Sequence, residues 1–326
     1  MEVHFLDADG ARPGSTDDAA GLFEQRDGFV WVDVPSWSDE AEAVLDSLGC
    51  HPLVVAGCRQ RNYVPTVHGY ADHVFVTTQS PSLGDAGHVH LLELDQIIGR
   101  HYLVTVHGPI NPDVDPARAL VETAGVLARI EEGRFRPTSP AELSYAITSA
   151  VARRQSGVIR EVAGKLPGLE REVMTSQLRS PEALLERMFL IRHELITTRT
   201  MAAQCHDIWV RLAGIQRLPD DEDAGFARDI AEQFERVRSL ADGESHFLFG
   251  VIELYQTKVH TKMTVAMERL AVIAAVTLPI TAIASVLGMN VIVNDETRYG
   301  LLALFLAVML AISLLLLHWA RRQGWW

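Results

Sequence analysis

Near the C-terminus the stretch SVLGMNVIVNDETRYG (285–300) carries side chains unlike those of its surroundings. Gly288, Met289 and Asn290 stand together, and Asp295 and Glu296 follow, all between two long apolar runs. Asn290 offers an amide oxygen, an acceptor without charge. Gly288 frees the backbone, which predicts a helix end whose carbonyls can turn outward. Repeated around a symmetric mouth, these groups make a ring of neutral oxygens. Such a ring suits hydrated Mg²⁺, which dehydrates reluctantly and is best recognised through its water shell. Asp295 and Glu296, just outside, raise the local cation concentration. Glycine and asparagine also end helices routinely, so the triplet gains meaning from its place at the close of the first apolar run.

The elements that must position this triplet are the apolar runs themselves. LAVIAAVTLPITAIASVLGM (270–289) and GLLALFLAVMLAISLLLLHW (300–319) contain no charged residue. Each matches the ~20 residues needed to cross a hydrocarbon core as a helix. Joined by residues 290–299, they read as a spanning hairpin with both chain ends on one side of the bilayer. Lys258, Lys262 and Arg269 precede the first run and Arg321 and Arg322 follow the second, whereas the loop holds only Arg298 beside its acids. The positive-inside rule places both termini in the cytoplasm of a plasma (inner) membrane and the loop outside. Trp319, Trp325 and Trp326 fall at the inner interface, where indole is favoured.

Two spans cannot enclose a hydrophilic path, so transport requires several copies around an axis. Stepping by three and four from Glu253 gives Thr257, His260, Thr264, Met267, Ala271, Ala274, Leu278, Thr281, Ser285 and Gly288. These lie on one slowly winding stripe of a helix. An acid stands near its start, small and hydroxyl residues follow, and Met267 and Leu278 interrupt them as apolar constrictions that can gate by dewetting. The same residue types also let helices approach closely in membranes, so the stripe alone suits packing nearly as well as pore lining. Pro279 is open in the same way, as a kink at a gate or a proline absorbed by neighbouring helices.

The remainder of the 326-residue chain has a formal charge of −13, from 42 acids against 29 Lys and Arg. That balance argues against a nucleic-acid partner, which calls for clustered cations. Cys50, Cys58 and Cys205 form no CxxC pair or disulfide framework, in keeping with a reducing interior. The start, MEVHFLDADG, lacks the pattern of a signal peptide. Residues 1–140 read as an α/β domain, with strands at 28–34, 73–79, 90–99 and 101–108 and a helix at 38–49 capped by Ser38. Residues 141–269 read as long helices, including 181–216 and a stalk that continues into the first span, about 90 Å for residues 226–287. Gly243 and Gly250 are the weak points in that stalk. The span of 270–289, loop of 290–299, span of 300–319 and basic tail of 320–326 complete the plan.

With these residues in place, the chain resembles the CorA-type magnesium channel family over nearly its whole length. MERLAVIAAVTLPITAIASVLGMN (267–290) is similar to the family's pore helix, and RRQGWW to its basic tail. WVDV (31–34), HPLVV (51–55), QRNYVPTVHGYADHVFV (60–76) and YLVTVH (102–107) follow its cytoplasmic pattern in order. The resemblance implies a funnel-shaped homopentamer and passive, potential-driven cation uptake without cofactor or enzymatic step. It implies a selectivity ring at Gly288, Met289 and Asn290, with Asn290 as the amide and Thr281 as a hydroxyl ring below. Leu278, Leu270 and Met267 fall at the hydrophobic constriction, Thr264 where asparagine is usual, and Glu253 at an acidic position low in the pore. Ala274 and Ser285 complete the implied lining.

Three departures stand out. Leu287 replaces an aromatic, the outer loop reads VIVNDETRYG, and Ala56-Gly57 stands where an acidic pair usually follows the HPL stretch. In the family that pair contributes to an intersubunit Mg²⁺ site opposite an aspartate that aligns with Asp229, so closure by internal Mg²⁺ is expected to be weakened or to use other groups.

Two alternatives remain at this level. The family has a zinc branch with proton coupling, and His88, His90, His101 and His107 can cluster across adjacent strands, where imidazole suits zinc. Intact GMN favours Mg²⁺, with Co²⁺ and Ni²⁺ as further cargo. A membrane-anchored enzyme or sensor would need a site of its own. HEL (193–195) is not HExxH, and CHD (205–207) lies in a helical pattern with no separate nucleophile signal.

Overall fold

The computed structural model describes residues 1–14, 28–84, 87–109, 111–175, 181–214, 221–291 and 299–322. By internal packing the chain divides into two compact units, Met1–Val251 and Ile252–Trp326.

The first unit is built on seven strands: β1 Glu2–Asp7, β2 Gly10–Gly14, β3 Phe29–Val34, β4 Thr66–Gly69, β5 His73–Leu83, β6 Val89–Gly99 and β7 Tyr102–Val106. Their order across the sheet is β2-β1-β3-β7-β6-β5-β4. Only β3 and β7 run parallel, with Asp33 opposite Thr105. The other pairings are antiparallel. The expected hairpin between the third and fourth predicted strands is present as β6 and β7. Its turn requires Gly99, because a Cβ there would lie 2.3 Å from the ring of Tyr102. β1, β2 and β4 are not among the strands the sequence predicts. β1 shows only partial alternation, and β2 and β4 are short and half exposed.

Alternation along the strands feeds two cores, since successive side chains point to opposite faces. Trp31, Val74, Val76, Leu94 and Leu103 point to one face, and Val30, Val32, Phe75, Ile97 and Val104 to the other. The second face is covered by two short helices, α1 Asp39–Ser47 and α2 Pro52–Arg59. Ser38 caps α1 by accepting from the Ala41 amide at 3.2 Å, and Asp39, Glu40 and Glu42 favour its positive end. Pro52 opens α2, with His51 Nδ1 accepting from the Leu53 amide.

The first face is covered by α3 Val121–Glu131, α4 Pro140–Thr175, α5 Pro181–Ala213 and the beginning of α6 Asp221–Val291. Ser139 caps α4 through the Glu142 amide, and Glu142 reaches back to the amide of Thr138. Ser180, which precedes the Pro181 that opens α5, lies outside the described residues. α7 Tyr299–Arg322 completes the second unit.

Buried polar groups are largely matched across the sheet, as desolvated groups must be. Trp31 Nε1 donates to Thr105 Oγ1 at 3.0 Å, and that hydroxyl donates to Asp33. Gln96 bonds both Thr148 and Ser144 of α4, and Gln155 donates to the Gln79 carbonyl. These contacts pin α4 to β5 and β6.

Candidate ion pathway

α6 is 71 residues long, about 105 Å at ~1.5 Å per residue. It is unbroken at Gly243, Gly250 and Pro279, so neither glycine interrupts the stalk. Its i→i−4 ladder outweighs the glycine penalty of ~1 kcal/mol apiece. The helix also continues past Gly288 to Val291, which corrects the expectation that the glycine ends it. Asn290 therefore belongs to the last helical turn and not to the loop. Asp295 and Glu296 lie outside the described residues.

Every described side chain on the stripe is exposed in the protomer, from Glu253 through Thr264, Met267 and Ala274 to Ser285. Met267 is 54% exposed and Leu278 and Leu270 are each 66% exposed. Such apolar exposure calls for lipid or another protein surface. α6 and α7 each contain a window long and apolar enough to cross a membrane, and only 6% of each window is buried. A core helix of a soluble protein would be covered by its own chain.

The stripe's hydroxyls have a defined orientation. Thr264 donates to the His260 carbonyl at 3.0 Å and Thr281 to the Thr277 carbonyl at 2.8 Å. With the proton turned to the backbone, each hydroxyl oxygen keeps a lone pair free to accept from another group.

In the first unit, Asp229 accepts from Tyr145 Oη and Gln233 Nε2, both at 2.8 Å on the same carboxylate oxygen. Those bonds, Gln233 first, hold its pKa below the usual value against a smaller opposing effect of burial. Asp229 is on α6, which packs on one sheet face, while Ala56 and Gly57 are on α2 across the sheet. A site drawing on both must take them from different chains. A side chain at Gly57 would meet the ring of Phe75 at 3.3 Å.

The histidines do not gather as expected. His107 is buried, with Nε2 2.8 Å from Asp33 and 3.3 Å from Thr123 Oγ1. Burial works to raise the pKa of Asp33, but His107 and the hydroxyls of Thr105 and Thr123 outweigh it and hold the carboxyl low. His101 is exposed beside the β6–β7 turn. His88 and His90 do meet, with ring centroids 4.8 Å apart, and His193 from α5 stacks on His88 at 6.3 Å. Register separates the proposed four: β7 pairs only with Asp95–Ile98 of β6, so His88 and His90 lie toward the opposite end of β6 from the turn that holds His101, past the end of β7 that leads into His107. Among the described residues no group of three or more His, Cys, Asp or Glu is arranged to hold a metal.

A further acidic pair is faint in the sequence. Glu93 and Asp95 on β6 are both buried. Glu93 accepts from the backbone and side-chain amides of Asn62 at 2.7 and 2.6 Å. Asp95 accepts from Thr77 Oγ1 at 2.6 Å, while its second oxygen has no partner. Burial raises both pKa values, that of Asp95 well above its usual range with Glu93 adding to the effect. The i, i+2 spacing in ELD was the available signal, since it puts two acids on one strand face.

The family profile for CorA-like Mg²⁺ transporter proteins matches residues 26–322. The cobalt/magnesium transport protein CorA of Thermotoga maritima is 21% identical over 334 residues, covering 100% of this chain and 92% of that protein. The complete CorA magnesium transporter structure from Methanocaldococcus jannaschii superposes with a TM-score of 0.80 at 16% identity, over 100% of this chain and 99% of that one. The ZntB cytoplasmic domain from Vibrio parahaemolyticus matches 80% of this chain and 98% of its own, with a TM-score of 0.60 at 11% identity. At those identities the structures speak to the fold alone. The α/β unit, the long helices and the two apolar helices at the C-terminal end agree with the profile match, and this chain belongs to the CorA-like Mg²⁺ transporter family of membrane divalent cation transporters.

Proposed function

We propose that the protein is a passive, potential-driven channel for Mg²⁺ uptake, assembled as a homopentamer with both termini in the cytoplasm. Co²⁺ and Ni²⁺ are secondary cargo. The observation that carries this reading is the place of the triplet: Gly288, Met289 and Asn290 close the 71-residue α6, at the end of its apolar run. Five copies would turn the exposed stripe toward a common axis. Asn290 amides then form the outer ring, and Thr281 and Thr264 oxygens form rings below it. Leu278, Leu270 and Met267 make the constriction, and Glu253 gathers cations at the lower end. Ala274 and Ser285 leave width for a water shell. Asp295 and Glu296 concentrate cations at the outer mouth. No step consumes a chemical fuel, and the membrane potential supplies ~2.3 kcal/mol per charge for each 100 mV.

The test is uptake into proteoliposomes loaded with a Mg²⁺-sensitive dye under an inside-negative potential, comparing wild type with Asn290→Ala. Potential-driven Mg²⁺ influx that the variant loses is the expected result. Zn²⁺ influx coupled to a proton gradient, without Mg²⁺ flux, would replace this reading with a zinc transporter. A folded oligomer that passes no ion would replace it with a membrane-anchored sensor.

A further inference from the structure

A cleft of about 610 Å³ opens in the first unit between the end of β5, α3 and α4. Pro81, Leu83, Val121, Val126 and Val158 give it an apolar wall. Four guanidinium groups, from Arg118, Arg129, Arg153 and Arg154, share its lining with only two carboxylates, Glu122 and Glu161. In a chain of net charge −13 this is a local reversal of sign.

Both carboxylates are already engaged. Glu122 is buried and pairs with Arg154 at 3.0 Å while accepting from Ser80 Oγ at 2.6 Å. Glu161 pairs with Lys165 at 3.4 Å. Arg118 spends one nitrogen on Ser82 Oγ and the Leu83 carbonyl. Arg129 and Arg153 differ from these. Arg129 lies over the ring of Phe135 at 5.1 Å, and Arg153 has no hydrogen bond or ion pair among the described residues. Desolvation and then the charge of Arg129 depress the pKa of Arg153, and both carboxylates of the lining are paired with other cations. An anion would relieve that repulsion, and a planar guanidinium fork matches a phosphate bidentately.

We propose that this cleft binds a nucleoside polyphosphate, with its phosphates on Arg129 and Arg153 and its base against Leu83, Val121 and Val158. The volume lies within the roughly 300–1,000 Å³ of small-molecule sites and exceeds what a lone phosphate fills. The nucleotide's presence at the cleft rests on the cytoplasmic placement proposed above, but its binding does not depend on ion flux.

The experiment is fluorescence titration of the purified full chain with mant-ATP in EDTA. Competition by ATP, inorganic triphosphate and dioctanoyl phosphatidic acid follows. Arg153 and Val121 are exposed, and serine at position 121, the first residue of α3, adds no charge to the cleft, so Arg153→Ala and Val121→Ser should keep the fold, which thermal unfolding verifies. Saturable mant-ATP binding is expected. Arg153→Ala and Arg129→Ala should each weaken it about tenfold or more, the loss of one charged hydrogen bond. Val121→Ser should weaken ATP but not triphosphate, and Arg100→Ala, outside the cleft, should bind as wild type. No saturable binding, or binding indifferent to both arginine variants, overturns the site. Triphosphate binding as tightly as ATP, or phosphatidic acid displacing the probe more strongly than ATP, overturns the nucleoside assignment.

Discussion

Asp95 is a fully buried carboxyl. One of its oxygens has no partner, and Glu93 is its neighbour across the same strand face. The folded protein therefore retains a proton that the unfolded chain releases above the ordinary carboxylate value of 3.8. From that pH upward the folded state binds more protons than the unfolded one. Stability contributed by the protonated acid is then lost progressively as pH rises toward the raised folded pKa. Asp95→Asn keeps an acceptor for Thr77 and removes the titration. Thermal unfolding between about pH 5 and 8 should show the variant gaining most over wild type at the alkaline end, with a flatter pH profile. A lower melting temperature at every pH would mean instead that Asp95 is needed ionised.

At the scale of elements, the middle of α6 carries Gly243 and Gly250, which the helix does not need for space. A Cβ at Gly243 or Gly250 meets nothing within 4 Å in the protomer. Alanine at either position should stabilise by up to about 1 kcal/mol through helix propensity. Denaturant unfolding of the purified oligomer would measure it. A loss in its place would locate a close approach by a neighbouring chain, because only a partner backbone could exclude the methyl group. The docking of α3 and α4 offers the opposite case. Arg154→Ala leaves Glu122 buried with only the Ser80 hydroxyl near it. Removing one partner of such a buried pair should cost about 3 kcal/mol, read as a fall in denaturant midpoint.

For the whole molecule, the departure at Ala56 and Gly57 bears on regulation. Asp229 keeps a low pKa and a firm orientation, but the residues expected opposite it are an alanine and a glycine. We propose that two-sided carboxylate coordination is lost there, since Mg²⁺ is held through one or two carboxylates with water completing its octahedron. Current or efflux measured against internal Mg²⁺ should fall only shallowly as the ion rises. Closure as sharp as in relatives carrying the acidic pair would sink this expectation and point to other ligands. Native mass spectrometry of the same preparation should return five chains. Any other count would undo the ring geometry proposed for Asn290.

The sequence by itself determined what depends on local composition and periodicity. Two uncharged apolar runs, the 3.6-residue pattern of α4 to α6 and the Ser38 cap are properties of neighbours along the chain. The GMN triplet was legible for the same reason, since its position relative to those runs is a matter of counting. Tertiary structure alone decided what depends on residues far apart in sequence. The parallel pairing of β3 with β7 brings His107 to Asp33 and Thr105 to Trp31 across more than 70 positions. Register along β6 and β7 separates His101 and His107 from His88 and His90, and α5 brings His193 to His88 instead. The cleft with Arg129 and Arg153 arises because α3 and α4 pack over the end of β5. Such contacts follow from which sheet face each helix covers, and hydrophobic alternation assigns residues to faces without saying which helix will lie on them.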